Sequence, residues 1–551
     1  MNVMKREYVI GVDFGSDSAR AILADVRTGE ICQESVVFYP RWQKGLYCDS
    51  SISQYRQHPL DYIEVLIEAV RNVAAGAGKR SCIKAVALDT TGSTPCPVDR
   101  EGVPLALLPE FSDNPNAMFW LWKDHTSLNE AEQLTDSLKN APSGDYTVYQ
   151  GKYSAEWFWA KVLHGIRIDQ DVRKYGYTWV EHVDWLSGCL AGNLQPEQLI
   201  RCSCAAGHKA YWDIRHGGLP DLSCFNMLDG TLGMIAGRYR TKPQPAGRKI
   251  GTLTDEWAGV LGLEPDTVVG TGSFDAHAGA VGAGIRQHCM VKIAGTSTVD
   301  LLTVSQEEMA GKDMGAYCNQ ALDSILPGMV GIEAGQAAFG DLFSWLKRVM
   351  MWPVKQMGME DIALESLDKQ FFPALEREAG ARKSVQEAVG IDWFNGRRYP
   401  DINEAVKGAF LGLSLGMDCV DLYRALVNGA IFGSRRILDS FAECGLRPQE
   451  IIAVGGIADK SHYIMQQMAD ILELPVRTLR SGQVCALGAA IYGAAAAGIY
   501  PSLQDAQQVM CPGTDKEFRP DEKTFEENRR MYGKYQAACS CVDQWTKYTG
   551  R

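Results

Sequence analysis

The sequence has little of what a nucleic-acid-binding protein needs, because 67 Asp and Glu residues outnumber 55 Lys and Arg residues and the net charge is −12. Binding a polyphosphate chain through surface charge requires a basic field. The composition therefore argues against a nucleic acid or an acidic membrane surface as the partner. A bound nucleotide would be held by backbone amides, a few placed cations and a metal ion.

The sequence also lacks an apolar run long enough to span a membrane. The longest soft apolar stretch, CALGAAIYGAAAAGIY at 485–500, is rich in Ala and Gly and predicts a buried helix. The N-terminal string MNVMKREYVIGVDFG contains no apolar leader and no small-residue cleavage site, so we expect a cytoplasmic protein.

The 16 cysteines show no disulfide-framework spacing, and the C-x-C pair Cys202 and Cys204 is a weak indication of zinc.

A P-loop is absent as well. The string GAGKRS around Lys79 resembles the end of that motif, but Val73 stands where its first glycine should be. The string also follows a predicted helix rather than a strand. Any binding of ATP therefore requires other phosphate-binding turns.

What is present is a pattern of strands and glycine turns that occurs twice. The strings YVIGVDFG, ARAILADV and ICQESVVFYP predict a β-meander, followed by a helix in HPLDYIEVLIEAVRNVAAGAG and a strand in IKAVALDTTGS. A second meander begins at Met290 with MVKIAGTSTVDLLTV. We predict an α/β fold of two domains, 1–284 and 285–551, with an active-site cleft between them and the tryptophan-rich segment 130–266 as an insertion.

Two turns in these meanders have the composition of phosphate-binding turns. In GVDFGSDSAR a strand ends at Asp13, and the turn that follows consists of Gly15, Ser16, Asp17 and Ser18. Such a turn can direct amides at phosphate oxygens while Asp13 holds Mg²⁺, although an ordinary hairpin has the same composition. The second turn has Gly295, Thr296 and Ser297, and a strand-to-helix turn at Gly455 and Gly456 would admit an adenosine.

The string GSFDAHAGAVGAG places Asp275 among small residues, where a substrate could approach its carboxylate. A kinase needs such a carboxylate to accept the hydroxyl proton and to orient the hydroxyl toward the γ-phosphate. His277 is the alternative base, but a carboxylate is ionised at neutral pH without tuning. Lys209 and Glu333 stand beside small residues, and the segments FWLWKDH and SAEWFWAK supply tryptophans that suit a sugar site or a core.

These strings, together with YPRWQKG, DTTGSTPCPVD, AAGHKAYW, GIEAGQAAFGD and DWFNGRR, resemble the FGGY family of carbohydrate kinases over nearly the whole chain. The resemblance implies two ribonuclease H-like domains of the actin-like ATPase superfold that bind ATP and Mg²⁺. It implies phosphorylation of a ketopentose, foremost L-ribulose to L-ribulose 5-phosphate in L-arabinose catabolism, with Asp275 as general base. It further implies Lys209 and Glu333 as sugar ligands, and the backbone at Cys96, where alanine is expected, beside the sugar.

Two alternatives stay open. A kinase for D-ribulose, ribitol or xylulose would share the same motifs, whereas a chaperone or filament subunit of the actin-like superfold would keep the phosphate turns without a base at Asp275. The predicted partners are a small sugar and MgATP. The sequence leaves the oligomeric state open, with a homodimer as the candidate assembly.

Overall fold

A computed structural model describes residues 6–77, 81–312, 314, 318–357, 361–382 and 387–549. Lys79, in the string that resembles a P-loop, lies outside the described residues. By their internal contacts the residues form two compact units. The first comprises Met1–Gln287, Thr303–Ile332 and Gln483–Pro512, and the second comprises His288–Leu302, Glu333–Gly482 and Gly513–Arg551. The domain bounds 1–284 and 285–551 stay predictions.

The strands of the described residues are β1 (Arg6–Phe14), β2 (Ser18–Asp25), β3 (Ile31–Phe38), β4 (Cys48–Asp49), β5 (Gln54–Gln57), β6 (Ser81–Thr90), β7 (Pro95–Val98), β8 (Phe119–Trp120), β9 (Thr178–Glu181), β10 (Lys249–Thr252), β11 (Val268–Gly270), β12 (Ser273–Phe274), β13 (Cys289–Ala294), β14 (Thr298–Ser305), β15 (Asn319–Leu322), β16 (Met329–Ala334), β17 (Val389–Ile391), β18 (Ala409–Leu411), β19 (Glu450–Val454), β20 (Val476–Leu479) and β21 (Thr514–Phe518).

The helices are α1 (Pro40–Gln43), α2 (Pro59–Ala74), α3 (Leu128–Lys139), α4 (Thr147–Gln150), α5 (Phe158–Ile168), α6 (Gln170–Tyr175), α7 (His182–Ala191), α8 (Ser203–Ala210), α9 (Leu222–Asn226), α10 (Gly230–Ala236), α11 (Asp255–Leu261), α12 (Asp275–Gly282), α13 (Gln306–Met309), α14 (Gly340–Gln356), α15 (Asp361–Ala381), α16 (Cys419–Glu443), α17 (Gly456–Lys460), α18 (His462–Leu472), α19 (Val484–Ala496), α20 (Leu503–Met510) and α21 (Phe525–Thr549).

The first sheet has seven strands in the order β10-β11-β6-β1-β2-β3, with β12 paired to β6. The strand β1 is antiparallel to β2 and parallel to β6. From Val9 to Phe14 every residue of β1 is buried, because α2 packs against this sheet and α19 also covers it. A strand covered on both faces reads as a continuous apolar run rather than an alternating one.

The helix α19 lies unusually close to its neighbours, because small residues form the contacts. A Cβ added at Gly11 of β1 would overlap the Ala486 carbonyl, and one added at Gly488 would overlap the Ala278 carbonyl of α12. The predicted buried helix at 485–500 is therefore confirmed as α19, and the glycines bring its backbone against β1 and α12.

The second sheet repeats the plan of the first, with the order β15-β16-β14-β13-β19-β20-β21. The strand β13 is antiparallel to β14 and parallel to β19, just as β1 is antiparallel to β2 and parallel to β6. The two predicted meanders and their duplication are confirmed.

The segment between the two meanders is mainly helical, with its own core that includes Trp120 and Trp159, both with no exposed surface. For these tryptophans the packing interpretation is confirmed.

The described cysteines are all free thiols. In the part of the chain that the structure describes, no helix combines the length and the apolar character that a membrane crossing demands.

Candidate active site

Three aspartates lie at one edge of the first sheet, where parallel strands end together. In the parallel pairing of β1 with β6, Asp13 is the direct partner of Asp89. In the parallel pairing of β12 with β6, Ser273 is the partner of Asp89, and Asp275 follows β12 as the first residue of α12. In α/β sheets the carboxyl ends of parallel strands are where ligands bind.

The carboxyl groups of Asp13 and Asp89 are buried, with exposed fractions of 5% and 0%. Burial raises the pKa of Asp13, an effect that the neighbouring guanidinium of Arg20 opposes. Burial, and then the charges of Asp13 and Asp275, raise the pKa of Asp89 well above its usual value. The Arg20 Nη1 atom is 3.1 Å from Asp13 Oδ2. The edge thus concentrates negative charge that one arginine only partly balances.

This edge has the chemistry of a site for a hard divalent cation. Both carboxylate oxygens of Asp89 are buried, and within the described ranges no amide, hydroxyl or cationic group donates a hydrogen bond to them; the side chain that interacts with them is the carboxyl group of Asp13. Oxygen ligands from carboxylates are what Mg²⁺ prefers, and a divalent charge would offset the repulsion that Asp89 experiences. Asp13 and Asp89 therefore fit an Mg²⁺ ion, for which the sequence analysis predicted Asp13 as the single ligand.

Asp275 differs from its alternative, His277, in accessibility. The side chain of Asp275 is half-buried, and the Ala276 amide donates a hydrogen bond of 2.7 Å to its Oδ1 atom. The His277 ring has an exposed fraction of 1% and packs 4.9 Å from the ring of His208. A substrate can reach the carboxylate more readily than the imidazole, which favours Asp275 as the base.

The first predicted phosphate turn is held by the backbone and by side chains from two later segments. The Gly15 amide donates to the Ser18 carbonyl at 3.0 Å. The Tyr39 hydroxyl donates to the Gly15 carbonyl at 3.0 Å, and the Gln57 amide nitrogen donates to the Ser16 carbonyl at 2.7 Å. The turn is thus fixed in shape while Asp17 at its tip is exposed. A rigid turn can present its amides to phosphate without reorganisation.

The predicted sugar residues of the first unit lie in two places. Cys96 is fully buried in β7, and its thiol donates to the Ala117 carbonyl at 3.6 Å. Lys209 stands in the last turn of α8, a helix that packs against β12, with its Nζ atom 5.5 Å from the ring centre of Trp157. The structure therefore brings the helix of Lys209 to the strand that precedes Asp275.

The second phosphate turn and the glycine turn meet within the second unit. The carbonyl of Gly295 accepts a hydrogen bond of 3.0 Å from the Gly340 amide at the start of α14. At Gly455, where φ is +104°, an added Cβ would lie 2.6 Å from the carbonyl oxygen of Ala294. Gly295, Thr296 and Gly456 are exposed and Ser297 is half-buried. These residues, separated by about a third of the chain, form one surface with little side-chain bulk. Glu333 is half-buried in β16.

Three residues at the carboxylate edge escaped the sequence analysis: Asp89, Arg20 and Cys485. Cys485 is in the first turn of α19, and burial, followed by the charges of Asp13, Asp89 and Asp275, raises the pKa of its thiol well above the usual value. For Asp89 a signal existed, because it ends an apolar strand that follows a helix, as ligand residues of parallel sheets do. That Arg20 and Cys485 lie at this edge follows only from the strand register and the helix packing.

The comparisons with known proteins agree on one family of enzymes. The model of the FGGY family of carbohydrate kinases, C-terminal domain, matches residues 290–497. A ribulokinase of Vibrio parahaemolyticus is 40% identical over 98% of this chain and 97% of its own. A ribulokinase of Anoxybacillus flavithermus is 33% identical over 97% of this chain and 94% of its own.

Solved structures show the same fold at low identity. A xylulose kinase from Rhodospirillum rubrum has a TM-score of 0.78 and 19% identity over 98% of this chain and all of its own. A gluconate kinase from Lactobacillus acidophilus has a TM-score of 0.78 and 18% identity over 98% of both chains. The predicted fold class, the α/β fold of the actin-like sugar kinases, is confirmed.

Proposed function

The chain belongs to the FGGY family of carbohydrate kinases, and from this premise we propose that it transfers the γ-phosphate of ATP to L-ribulose, giving L-ribulose 5-phosphate, with Asp275 as the general base. As a member of that family it is an ATP-dependent carbohydrate kinase, so the alternative of a non-kinase ATPase is set aside. The observation that carries the proposal is the position of Asp275, half-buried at the edge where the carboxylates of Asp13 and Asp89 also lie.

In the proposed mechanism Asp275 accepts the proton of the attacking hydroxyl. Asp275 is the first residue of α12, where the partial positive charge at the start of a helix interacts favourably with a carboxylate. The hydrogen bond from the Ala276 amide to Oδ1 holds the carboxylate in a fixed orientation, which helps it to orient the attacking hydroxyl. Phosphoryl transfer needs little covalent assistance, and orientation in line with the γ-phosphate is the main contribution of such a base.

Asp13 and Asp89 would hold Mg²⁺ at the same edge, with Arg20 beside Asp13. Bound there, the cation supplies neutralisation of charge on the phosphate oxygens. For the phosphates we propose Gly15, Ser16, Asp17 and Ser18 in the first unit and Gly295, Thr296 and Ser297 in the second. Gly455 and Gly456, which leave a surface without side chains, would border the adenosine.

For the sugar we propose Lys209, Glu333, Asp275 and the backbone at Cys96 as ligands. Charged groups beside small residues suit the hydroxyls of a ketopentose, and the ring of Trp157 near Lys209 provides an apolar surface. In this proposal residues 1–284 carry the first phosphate turn and the sugar site apart from Glu333, and residues 285–551 carry the nucleotide site. Support for L-ribulose comes from the two relatives, which are ribulokinases.

A substrate panel tests the acceptor. Release of ADP is measured with L-ribulose, D-ribulose, D-xylulose and ribitol at saturating MgATP. We expect kcat/KM for L-ribulose to exceed the others by about tenfold or more, the discrimination that one mispaired polar contact supplies. An equal or higher value with another acceptor would contradict the assignment to L-ribulose and favour a kinase for that acceptor.

A further inference from the structure

The ammonium group of Lys161, in α5, is completely buried and contacts three backbone carbonyls. Its Nζ atom donates to the Ser93 carbonyl at 2.7 Å, to the Leu121 carbonyl at 2.8 Å and to the Trp120 carbonyl at 3.4 Å. A protonated lysine has three N–H donors, so these three acceptors use all of them. Lys161 therefore ties together two segments that are distant in the sequence.

The first of these segments links the carboxylate edge, where Asp89 lies, to Cys96, one of the proposed sugar ligands. Ser93 lies between Asp89 near the end of β6 and Cys96 in β7. The carboxylate of Glu181 contacts the same segment and accepts hydrogen bonds from the Ser93 hydroxyl and, at 2.9 Å, from the Thr94 amide. A buried cation and a buried anion thus hold the same short loop.

The second segment leads to the first phosphate turn. Leu121, whose carbonyl Lys161 contacts, precedes Trp122, and the Trp122 Nε1 atom donates to the Ser16 hydroxyl oxygen at 3.0 Å. The chain of contacts runs from Ser93 through Lys161 and the backbone of Leu121 to Ser16. Every member belongs to the first unit.

We propose that Lys161 is a positioning residue for phosphoryl transfer, which fixes the loop beside the sugar relative to the phosphate turn at Ser16. This inference rests on the proposed function, since it assumes a sugar beside Cys96 and a phosphate at Ser16. Lys161 reaches the loop through the Ser93 carbonyl and the phosphate turn through the backbone of Leu121 and the indole of Trp122, and it takes no proton in the reaction. Its effect is on alignment, where an error of about 1 Å lowers rates by about 100-fold.

The environment of Lys161 supports a role beyond packing. Burial lowers the pKa of Lys161 to about 7, although the charges of Glu181 and Glu156 oppose this effect, while those of Arg56 and Lys209 add to it. Burying an ammonium costs free energy unless its partners compensate. A methionine of similar length would fill the same space without burying a charge but would donate to none of the three carbonyls, so the lysine is needed for these contacts rather than for packing.

The test is a double-mutant cycle with Lys161→Met and Trp122→Phe, measured with the acceptor that the wild-type enzyme uses best. We expect Lys161→Met to lower kcat/KM for the acceptor by about 100-fold, with ATP binding in the absence of acceptor changed by less than about threefold. Trp122→Phe, which deletes one N–H donor, should lower kcat by about tenfold in the wild type and by less than about twofold in the Lys161→Met background.

Effects that multiply in the double variant, or an unchanged kcat/KM in a folded Lys161→Met variant, would overturn the proposal. If Lys161→Met does not fold, Trp122→Phe alone decides, because an unchanged kcat would remove the link to Ser16. Trp257→Phe, at a half-buried tryptophan in α11, is the matched control and should leave kcat unchanged. Failure of L-ribulose in the substrate panel would not affect this cycle, which uses whichever acceptor is best.

Discussion

Asp13 and Asp89 are direct neighbours across the parallel strands β1 and β6, and they belong to a row that crosses four strands. Arg20 of β2 is the partner of Asp13 on one side, and Ser273 of β12 is the partner of Asp89 on the other. Backbone pairing, rather than a flexible loop, therefore sets the spacing of the two carboxyl groups. A site built on strands is more rigid than one built on loops.

Replacement of the proposed base should separate chemistry from binding. Asp275→Asn keeps the size and the hydrogen bond from the Ala276 amide but cannot accept the hydroxyl proton. We expect kcat to fall by about 10²–10⁴-fold with ATP binding retained, measured by ADP release and by direct nucleotide titration.

Asp255→Asn is the matched control, because Asp255 is also the first residue of a helix, α11, but is exposed. This variant should keep the wild-type kcat. A kcat of Asp275→Asn within a few-fold of wild type would exclude Asp275 as the base and leave His277 as the candidate.

Asp89 should make the metal-free protein less stable as the pH rises. Its pKa is raised in the folded state, so the folded protein holds a proton that the unfolded chain releases above about pH 4. Between that pH and the raised pKa the free energy of unfolding falls, by about 1.4 kcal/mol for each pH unit at most.

Asp89→Asn removes this titration, so its melting temperature in EDTA should change less between pH 5 and pH 8 than that of the wild type. The same variant should need more Mg²⁺ for half-maximal activity at saturating ATP. Identical pH dependence of the two melting temperatures would show that folding does not raise the pKa of Asp89.

The close packing of α19 on α12 predicts unequal effects of two glycine substitutions in one helix. In Gly488→Ala the new Cβ would overlap the Ala278 carbonyl of α12. We expect a loss of about 1–3 kcal/mol in the free energy of unfolding, and a lower kcat because α12 carries Asp275.

Gly493→Ala is the control, since its Cβ would lie 3.4 Å from the Ala85 Cβ, an ordinary contact. It should leave stability unchanged or raise it by up to about 1 kcal/mol, because alanine favours a helix more than glycine does. Chemical denaturation measures both, and equal effects would contradict the packing described.

Substitutions of Gly455 and Gly456 by alanine should also differ in their effect on the stability of the protein. Gly455→Ala places a side chain at φ +104° and 2.6 Å from the Ala294 oxygen, so we expect a loss of about 1–3 kcal/mol and a higher KM for ATP. At Gly456 no atom of the described residues lies within 4 Å of the added Cβ.

Gly456→Ala should therefore keep the wild-type melting temperature, and any rise in its KM for ATP reports contact with the nucleotide itself. An unchanged melting temperature for Gly455→Ala would contradict the strain at that position.

The meanders could be predicted from the sequence, because alternation and glycine turns are local signals. The buried helix at 485–500 could be predicted too, but its partners β1 and α12 could not, since both lie far from it in the sequence. Asp89 offered a local signal, its place near the end of an apolar strand, but its pairing with Asp13 depends on the register of β6 with β1, which no local pattern encodes. Asp275 was found because small residues around a carboxylate are a local signal.

The position of α19 in the chain has a consequence for synthesis. The strands β1 and β6 leave the ribosome early, whereas the helix that covers them begins only at Val484. Until then the nascent chain carries an apolar sheet face without its native cover, and such surfaces aggregate or recruit chaperones. Expression at lower temperature, or together with a chaperone, should therefore increase the soluble yield of this chain. The increase should be larger than for a protein whose first domain completes its core before the rest of the chain is synthesised.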